Sequence, residues 1–526
     1  MAGRGPPMPV RGEHTCMKSL INTPLERMTA DWWGGIDDAC KKAFFAAVAV
    51  NVLAFGFEMT NLTLHHDDVQ QIFIEDTILG FYLGRFGLGW LYYYTQNHYF
   101  MPFLQLAEGI VLMSVYGVVV ARFWGARRAI DIALIAAIVC VFPYMAQTYQ
   151  YNTSMAANPL AHLLAAAAVV FSTRATVKNV AIATALFLAA FSIYQAVAAN
   201  AATIFMIWLL ARLLFGGEES SFVSRETVRA TIATLAAAVL GGLVYLVAVS
   251  TMDIPFDSEQ AAETAFRLGD ATKFSLAIHE IWSGTRGFFI WPERYFPDYL
   301  KDLQLALLAA AGICCLWLPR RLWSKAAAVV LLALAAFAPR ILQLVHPQGQ
   351  YHSLTLTAYA VLIAGAVMIV IRSARTLTRN VAIVATIVLL AGYVMQCNWI
   401  STVNYLNMFA HFDTMTQVLA RLRSLPDAGW DGKKIAVVGR YEMPTTYPFT
   451  TRDAVAPKFL DAPHMVYMAR LMRDEATFVA ADATMPRVLD YARSHAPWPN
   501  PASVAVVDGM GVVVFSNAAT PPKDSQ

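Results

Sequence analysis

Long apolar blocks recur along the whole chain and predict membrane-spanning helices. Each block covers roughly 15–22 residues, which is close to the length that an α-helix needs to cross the hydrocarbon core of a bilayer. Two of the blocks, at 129–144 and 159–173, are short for a span, so we expect tilted, buried or partly re-entrant helices there. The eleven blocks lie at 42–57, 103–121, 129–144, 159–173, 179–199, 201–215, 230–250, 302–318, 325–339, 354–371 and 380–399.

The basic residues between these blocks predict which ends of the helices face the cytoplasm. Connections rich in Lys and Arg alternate with connections that are poor in both, and cytoplasmic loops carry the excess of positive charge. We therefore expect a cytoplasmic N-terminus, with the loops after helices 1, 3, 5, 7, 9 and 11 and the C-terminal segment outside. The basic connections contain Lys41 and Lys42; Arg122, Arg127 and Arg128; Arg174 and Lys178; Arg212, Arg225 and Arg229; Arg320, Arg321 and Lys325; and Arg372, Arg375 and Arg379.

This pattern divides the chain into three predicted parts. Residues 1–40 form a cytoplasmic segment, and residues 41–400 form the membrane domain with long outward loops at 58–102 and 251–300. The aromatic residues and Gly/Pro breaks of the second loop favour short interfacial helices. Residues 401–526 predict a small outer α/β domain, with strands at 433–439 and 502–516 and amphipathic helices in HFDTMTQVLARLRSL and PRVLDYARSHA.

Composition agrees with an all-α polytopic membrane protein. Hydrophobic residues make up 57% of the chain and charged residues 14%, whereas a soluble domain has about a quarter charged residues. The first 40 residues lack the apolar core of a secretory signal. Six cysteines show no spacing typical of a metal site or of a disulfide framework. We expect the lipid bilayer as a partner and no nucleic acid.

The stretch HHDDVQQIFIEDTILGFYLGRF places an acidic pair just outside the first helix. Asp67 and Asp68 are candidates for a general base or for a carboxylate that positions a nucleophile. The alternative is that they cap the start of a helix. Asp68 and Glu75 are seven residues apart and so share one helical face, which favours a carboxylate edge at the depth of the lipid headgroups.

Basic and imidazole groups on the outer side have two interpretations each. Arg85 could bind a phosphate bidentately or extend to the headgroups. The two histidines of the stretch, His65 and His66, could bind a metal, but their spacing is not diagnostic and a solvated loop is favoured, so we assign no metal ligand. Further outward arginines, which could bind the same phosphate or pair with nearby carboxylates, are Arg286, Arg294 and Arg340.

Two polar and aromatic segments are candidates for sugar contacts. Tyr151 and Asn152 lie in the run FPYMAQTYQYNTSMAANPL, and Tyr194 and Gln195 lie near the outer end of the fifth helix. Aromatic rings stack on sugars, and amides donate and accept hydrogen bonds with hydroxyls. The alternative is an aromatic belt with a hydrogen bond between helices. Glu108, inside the second helix, is a further ionisable group within a span.

The order of these motifs resembles the bacterial and phage type II glucosyltransferase (Gtr) family. The resemblance covers about residues 42–400. Asn152 stands where the family more usually has an acidic residue, which favours a binding role there, and the C-terminal part matches no motif. The motifs are Asp67–Asp68, Gly84–Arg85, FPYMAQTYQYNTS, SIYQA and Pro339–Arg340.

The resemblance implies a GT-C type fold and a hexosyltransferase in a bacterial inner membrane. The donor would be a polyprenyl-phosphate sugar, and the acceptor a surface glycan such as the O-antigen of lipopolysaccharide, on the periplasmic side. Asp67 and Asp68 would be catalytic, the four arginines would bind the donor phosphate, and Glu75, Tyr151, Asn152, Tyr194 and Gln195 would contact sugar. No cofactor is assigned and a divalent metal ion is left open. The alternatives are a flippase or transporter of lipid-linked sugars and an O-antigen polymerase.

Overall fold

The described part of the chain lies between residues 24 and 516. In a computed structural model these residues form a helical bundle followed by a small β-sheet. The ranges described are 24–73, 84–97, 99–216, 224–252, 271–291, 295–318, 322–345, 351–373, 375–425, 430–441 and 459–516.

A helix forms at each of the eleven apolar blocks. Eight helices of the described residues are long and apolar enough to cross a membrane, and three apolar helices are shorter. The helices of the bundle are α1 (Leu25–Gly35), α2 (Asp38–Thr60), α3 (His66–Gln71), α4 (Phe86–Gln96), α5 (Pro102–Phe123), α6 (Ala129–Val141), α7 (Tyr144–Thr148), α8 (Ala157–Ser172), α9 (Val177–Ile193), α10 (Val197–Phe215), α11 (Arg225–Thr251), α12 (Ala271–Ile290), α13 (Asp298–Trp317), α14 (Leu322–Phe337), 3-10 turns at Ala338–Leu344 and Ser353–Leu356, α15 (Ala358–Ser373) and α16 (Thr376–Arg423).

The three shorter apolar helices are α6, α8 and α9. Helix α6 ends at Val141 because Pro143 follows, and the residue before a proline is pushed out of the helical region. Phe142 accordingly has ψ of 130°. The second outward loop also differs from the sequence prediction: its described residues 271–291 contain one 20-residue helix, α12, rather than several short ones. Ala277, Ile281 and Phe288 are the buried side of this helix.

Charged residues mark one end of the bundle, which we call the basic end. There Arg122 lies 3.4 Å from Asp37, and Arg379 lies 2.6 Å from Asp131. Arg122 is in the last turn of α5, and Asp37 immediately precedes α2. Arg379 and Asp131 are in the first turns of α16 and α6. Because α2 and α6 both start at the basic end, their C-terminal ends lie at the other end, which we call the site end.

Helix α16 continues through residue 400, so the predicted domain boundary lies inside a helix. It has 48 residues, which corresponds to about 70 Å of helix, whereas the hydrocarbon core of a bilayer is about 30 Å thick. Its second half includes residues 411–423 of the amphipathic segment predicted at 411–425 and buries Met415, Val418 and Leu422. The helix therefore connects the bundle directly to the C-terminal sheet.

The C-terminal part is a four-stranded sheet with the order β2-β1-β4-β3. Strand β1 pairs in parallel with β2 and β4, whereas β3 and β4 form an antiparallel hairpin. Asp508 and Gly509 both have positive φ, as a type I′ turn requires. Strands form at both segments predicted from the sequence, and β2 is additional. The elements are β1 (Lys434–Val438), α17 (Ala462–Leu471), β2 (Thr477–Ala480), α18 (Pro486–Ser494), a 3-10 turn at Pro501–Ser503, β3 (Val504–Val507) and β4 (Met510–Val514).

A second hydrophobic core joins this sheet region to the site end of the bundle. Leu64 and Val69, on either side of the start of α3, are buried in one cluster with Phe459, Leu460 and Met465. Helix α17 consequently packs against α3. The packing fixes the position of the acidic pair relative to residues that are almost 400 positions later in the chain.

We predict that Gly117→Ala destabilises the bundle. A Cβ at position 117 would lie 2.7 Å from the Cα of Ala136, so α5 and α6 would have to separate, and overpacking of this kind costs about 1–3 kcal/mol. The expected result is a lower apparent unfolding temperature of the purified protein in detergent. Gly56→Ala in α2 is the matched control, because a Cβ there meets nothing within 4 Å. Equal unfolding temperatures would contradict the prediction.

Candidate active site

Helix α3 presents the acidic pair, and its first turn is closed by a reciprocal capping arrangement. His65 is the N-cap residue: its Nδ1 accepts a hydrogen bond from the Asp67 amide at 3.4 Å. In return the His65 amide donates to Asp68 Oδ2 at 2.8 Å. The cap is therefore His65, and neither aspartate takes that position. Helix α3 ends at Gln71, and Glu75 lies outside the described residues.

Asn152 holds the Asp68 carboxylate. Its backbone amide donates to Asp68 Oδ1 at 3.0 Å, and its Nδ2 donates to Asp68 Oδ2 at 2.6 Å. The same Nδ2 also donates to the Thr63 carbonyl at 2.8 Å. Asp68 is only 1% exposed. An amide at position 152 thus suits a partner that is itself a carboxylate, whereas an acidic residue there would need to be protonated to donate.

The two aspartates differ in environment. Burial raises the pKa of Asp68 to about 7, against the lowering effect of the hydrogen bonds from Asn152 and His65. Burial also raises the pKa of Asp67, and the charges of His464 and Arg85 oppose that shift. The Asp67 side chain is 34% exposed. Asp68 is therefore the fixed carboxylate and Asp67 the more accessible one.

Arg85 is held by a chain of polar contacts that runs from the turn between α9 and α10 to helix α11 and back to the residue before Arg85. Its Nε donates to Gln195 Oε1 at 3.3 Å, and Gln195 Nε2 donates to the Tyr245 hydroxyl at 2.8 Å. The Tyr245 hydroxyl donates to the Gly84 carbonyl at 3.2 Å. Gly84 has φ of 67°, and a Cβ there would lie 2.9 Å from the Tyr245 oxygen. The Gly-Arg motif is explained by this close approach and by the left-handed backbone.

Arg85 and Tyr194 leave hydrogen-bonding capacity for a ligand. The guanidinium lies 5.1 Å from the centre of the Tyr194 ring, in a cation–π arrangement. The Tyr194 hydroxyl is buried and has no hydrogen-bond partner among the described residues. Of the guanidinium nitrogens of Arg85, only Nε makes a hydrogen bond within the described part of the chain. Unpartnered donors of this kind suit an anionic ligand.

Tyr151 lies between the acidic pair and the arginine. Its ring centre is 4.3 Å from that of His65. Burial raises the pKa of the Tyr151 phenol, and the charges of Asp67 and Asp68 act in the same direction while Arg85 opposes them. The fold thus brings together seven of the candidate residues predicted from the sequence: Asp67, Asp68, Arg85, Tyr151, Asn152, Tyr194 and Gln195.

The other arginines predicted for the phosphate occupy different surroundings. The Arg340 guanidinium packs against Gly284, and its Nε donates to the Tyr359 hydroxyl at 3.3 Å. Arg286 is exposed on α12. Arg294 lies outside the described residues. Arg85 is the predicted arginine that the described contacts bring to the acidic pair.

Glu58 is a site residue that the sequence reasoning did not identify. It is 8% exposed at the end of α2. Thr63, Ser401 and Asp68 are its neighbours. The available signal was an ionisable residue at the end of a predicted span. The predicted span ends at residue 57, so it leaves Glu58 in the loop.

The two histidines do not lie in a solvated loop, so that expectation is wrong. His65 is 2% exposed and the His66 side chain is 21% exposed, because α3 is packed under the C-terminal core. The His66 ring centre is 5.1 Å from that of His464 on α17. No local signal identified His464, since its contact with His66 depends on how the C-terminal part docks.

One family comparison covers most of this region. A family model described as "Glucosyl transferase GtrII" matches residues 56–371, which is more than half of the chain. The match includes Glu58, the acidic pair, Arg85, Asn152, Tyr194 and Gln195, and it ends before the C-terminal sheet. Among curated proteins, no sequence matches this chain.

We predict that Asn152→Ala destabilises the site end. The substitution removes the hydrogen bonds from Nδ2 to Asp68 and to the Thr63 carbonyl, and a hydrogen bond to a buried charged group is worth about 1.5–3 kcal/mol. The apparent unfolding temperature should fall. Asn380→Ala, at an exposed position of α16, is the control and should leave that temperature unchanged. If both variants unfold at the temperature of the unmutated protein, Asn152 does not hold Asp68.

Proposed function

Because the chain belongs to the GtrII glucosyl transferase family, and is therefore a glycosyltransferase, we propose that it transfers a hexose, in this family glucose, from a polyprenyl-phosphate donor. The proposed acceptor is a surface glycan such as O-antigen, at the periplasmic face of a bacterial inner membrane. The observation that carries the proposal is that Asp67, next to the buried Asp68, lies within electrostatic reach of Arg85 at one end of a membrane bundle.

In the proposed reaction, the carboxylates act at the sugar of the donor and the arginine acts at its phosphate. The acceptor hydroxyl attacks the anomeric carbon of the donor sugar and loses its proton to a carboxylate. The bond from that carbon to the phosphate oxygen breaks, and its electron pair leaves with the polyprenyl phosphate. Negative charge on the phosphate rises in the transition state, so donors aimed at it accelerate the reaction. Arg85 has the guanidinium geometry that suits a phosphate.

Asp68 is the proposed acceptor of the proton. A carboxylate offers about four lone-pair positions, and the three hydrogen bonds from Asn152 and His65 leave one of them on Oδ1. These contacts orient the group before the substrate arrives, which is a main source of catalytic advantage. Asp67 is proposed to steady the positive charge that develops at the anomeric carbon, since it is more exposed and lies within electrostatic reach of Arg85.

Aromatic and amide groups around this pair are proposed to bind the sugar and its phosphate. Tyr151 has a partly exposed ring beside His65, and the Tyr194 hydroxyl is available beside Arg85. Gln195 and Asn152 are already engaged by Arg85 and Asp68, so their contribution is to position these groups. A lipid-linked donor accounts for the setting, because its phosphate must be met at the depth of the headgroups.

We predict that Asp68→Asn and Asp67→Asn each slow sugar transfer. Loss of a positioned general base lowers rates by about 10²- to 10⁴-fold, and we expect Asp68→Asn to have the larger effect on kcat. The measurement is transfer from a polyprenyl-phosphate [14C]glucose donor to acceptor glycan in proteoliposomes. Asp413→Asn, an exposed carboxylate on α16, is the matched control.

Unchanged transfer by both single variants and by the double variant would reject these carboxylates as catalytic. Gel filtration of each variant separates a lost reaction from a lost fold, which matters for the buried Asp68. Mass spectrometry of cell-surface glycans with and without the gene addresses the alternatives. A mass difference of one hexose supports transfer, whereas a change in chain length alone would indicate a polymerase.

We predict that Arg85→Lys weakens the use of donor much more than Arg340→Lys does. Lysine keeps the charge but cannot form the two parallel hydrogen bonds of a guanidinium with a phosphate, and one lost charge-assisted bond is worth about 1.5–3 kcal/mol. We therefore expect kcat/KM for the donor to fall roughly tenfold to hundredfold in Arg85→Lys, a range that follows from that energy. Equal losses in the two variants would contradict the assignment of Arg85 to the phosphate.

A further inference from the structure

Three ligand-type atoms of the segment 65–67 already lie close together. His65, His66 and Asp67 each offer one such atom, and these atoms lie within 4.8 Å of one another. His66 Nε2 is 3.5 Å from Asp67 Oδ1, and His65 Nδ1 is 3.8 Å from Asp67 Oδ2. Two ligands of a tetrahedral zinc ion are about 3.3 Å apart, so small side-chain adjustments bring this group onto one ion.

A third imidazole, which would be the fourth ligand, approaches the same group from the C-terminal part of the chain. The rings of His464 and His66 are 5.1 Å apart at 89° to one another. Two imidazoles bound to one tetrahedral zinc ion have ring centres about 5 Å apart, given the length of a zinc–nitrogen bond. The charge of His464 also acts on Asp67. His464 is therefore placed to complete a set of four ligands.

A carboxylate contacts one ring nitrogen of His464, as is usual for metal-binding histidines. His464 Nδ1 contacts the carboxylate of Asp461, and the second oxygen of that carboxylate accepts a hydrogen bond from Arg440 at 2.6 Å. A carboxylate on one ring nitrogen orients the imidazole and makes the other nitrogen a better ligand.

We propose that His65, His66, Asp67 and His464 form a binding site for a divalent transition-metal ion of the zinc type. Imidazole and carboxylate ligands suit zinc, and four protein ligands make a closed, structural site. The amide of Asp67 is 3.4 Å from His65 Nδ1, a long hydrogen bond that metal coordination readily replaces. The ion would tie α17 to α3 and fix the C-terminal part beside Asp68. With the ion bound, the charge of Asp67 would be engaged by the metal, so Asp67 would serve to hold α3 in place, and Asp68 would remain the base.

The test measures metal rather than activity, so its outcome is independent of the proposed transfer reaction. The full chain is purified in detergent with an affinity tag that lacks histidine, stripped with a chelator, and titrated with Zn²⁺ against a chromophoric chelator. We expect about one zinc ion per chain, as four ligands imply, and a higher apparent unfolding temperature with zinc, as binding to the folded state requires.

The variants identify the ligands. His464→Gln and His66→Gln should each weaken zinc binding by about tenfold or more, since even indirect partners of zinc contribute tenfold to hundredfold. His495→Gln is the control: this histidine stacks on Tyr491 in α18 and should leave zinc affinity unchanged. Mass spectrometry of the metal content checks the stoichiometry.

Two results would overturn the proposal. One is unmutated protein that retains no zinc and shows no change in unfolding temperature on its addition, a result that does not depend on any variant folding correctly. The other is equal zinc affinity in His464→Gln and His495→Gln. Binding of Mg²⁺ as tight as that of Zn²⁺ would also contradict the assignment, because histidine ligands discriminate against a hard cation.

Discussion

The buried carboxylate of Asp68 is the constraint on which the site end depends. A charge that is almost fully removed from water is tolerated only when hydrogen bonds replace its hydration, and here they come from residues 65 and 152. Those contacts fix the start of α3 against the segment that follows α6. Because the start of α3 also carries Asp67 and both histidines, one buried group sets the geometry of these three ionisable side chains.

The second requirement of the site is an arginine whose orientation is fixed near the carboxylates. Arg85 is oriented by Gln195 and Tyr245, and these come from separate elements at the same end of the bundle. Oriented donors do not have to reorganise as charge develops, which is why preorganised sites stabilise transition states better than water does. The left-handed backbone of Gly84 permits the close approach of Tyr245 and so ties the motif to the packing of α11.

The C-terminal sheet region is part of the same arrangement rather than an appendage. The long helix α16 connects the sheet region to the bundle, and α17 packs against α3 in a shared hydrophobic core. Burial of apolar surface stabilises this packing by roughly 25 cal/mol per Å², whereas the polar contacts fix its orientation. This explains why residues outside the family match lie next to residues inside it.

The sequence alone determined that helices form at the eleven apolar blocks, and it contained the acidic, arginine and tyrosine-glutamine motifs, because hydrophobic length and local residue type are properties of neighbours in the chain. It also predicted three of the four strands. Only the tertiary structure decided that α16 continues past residue 400, that Glu58 is buried, that Arg340 bonds to Tyr359, and that His464 contacts His66. These facts depend on packing between segments tens to hundreds of residues apart, which periodicity and spacing do not encode.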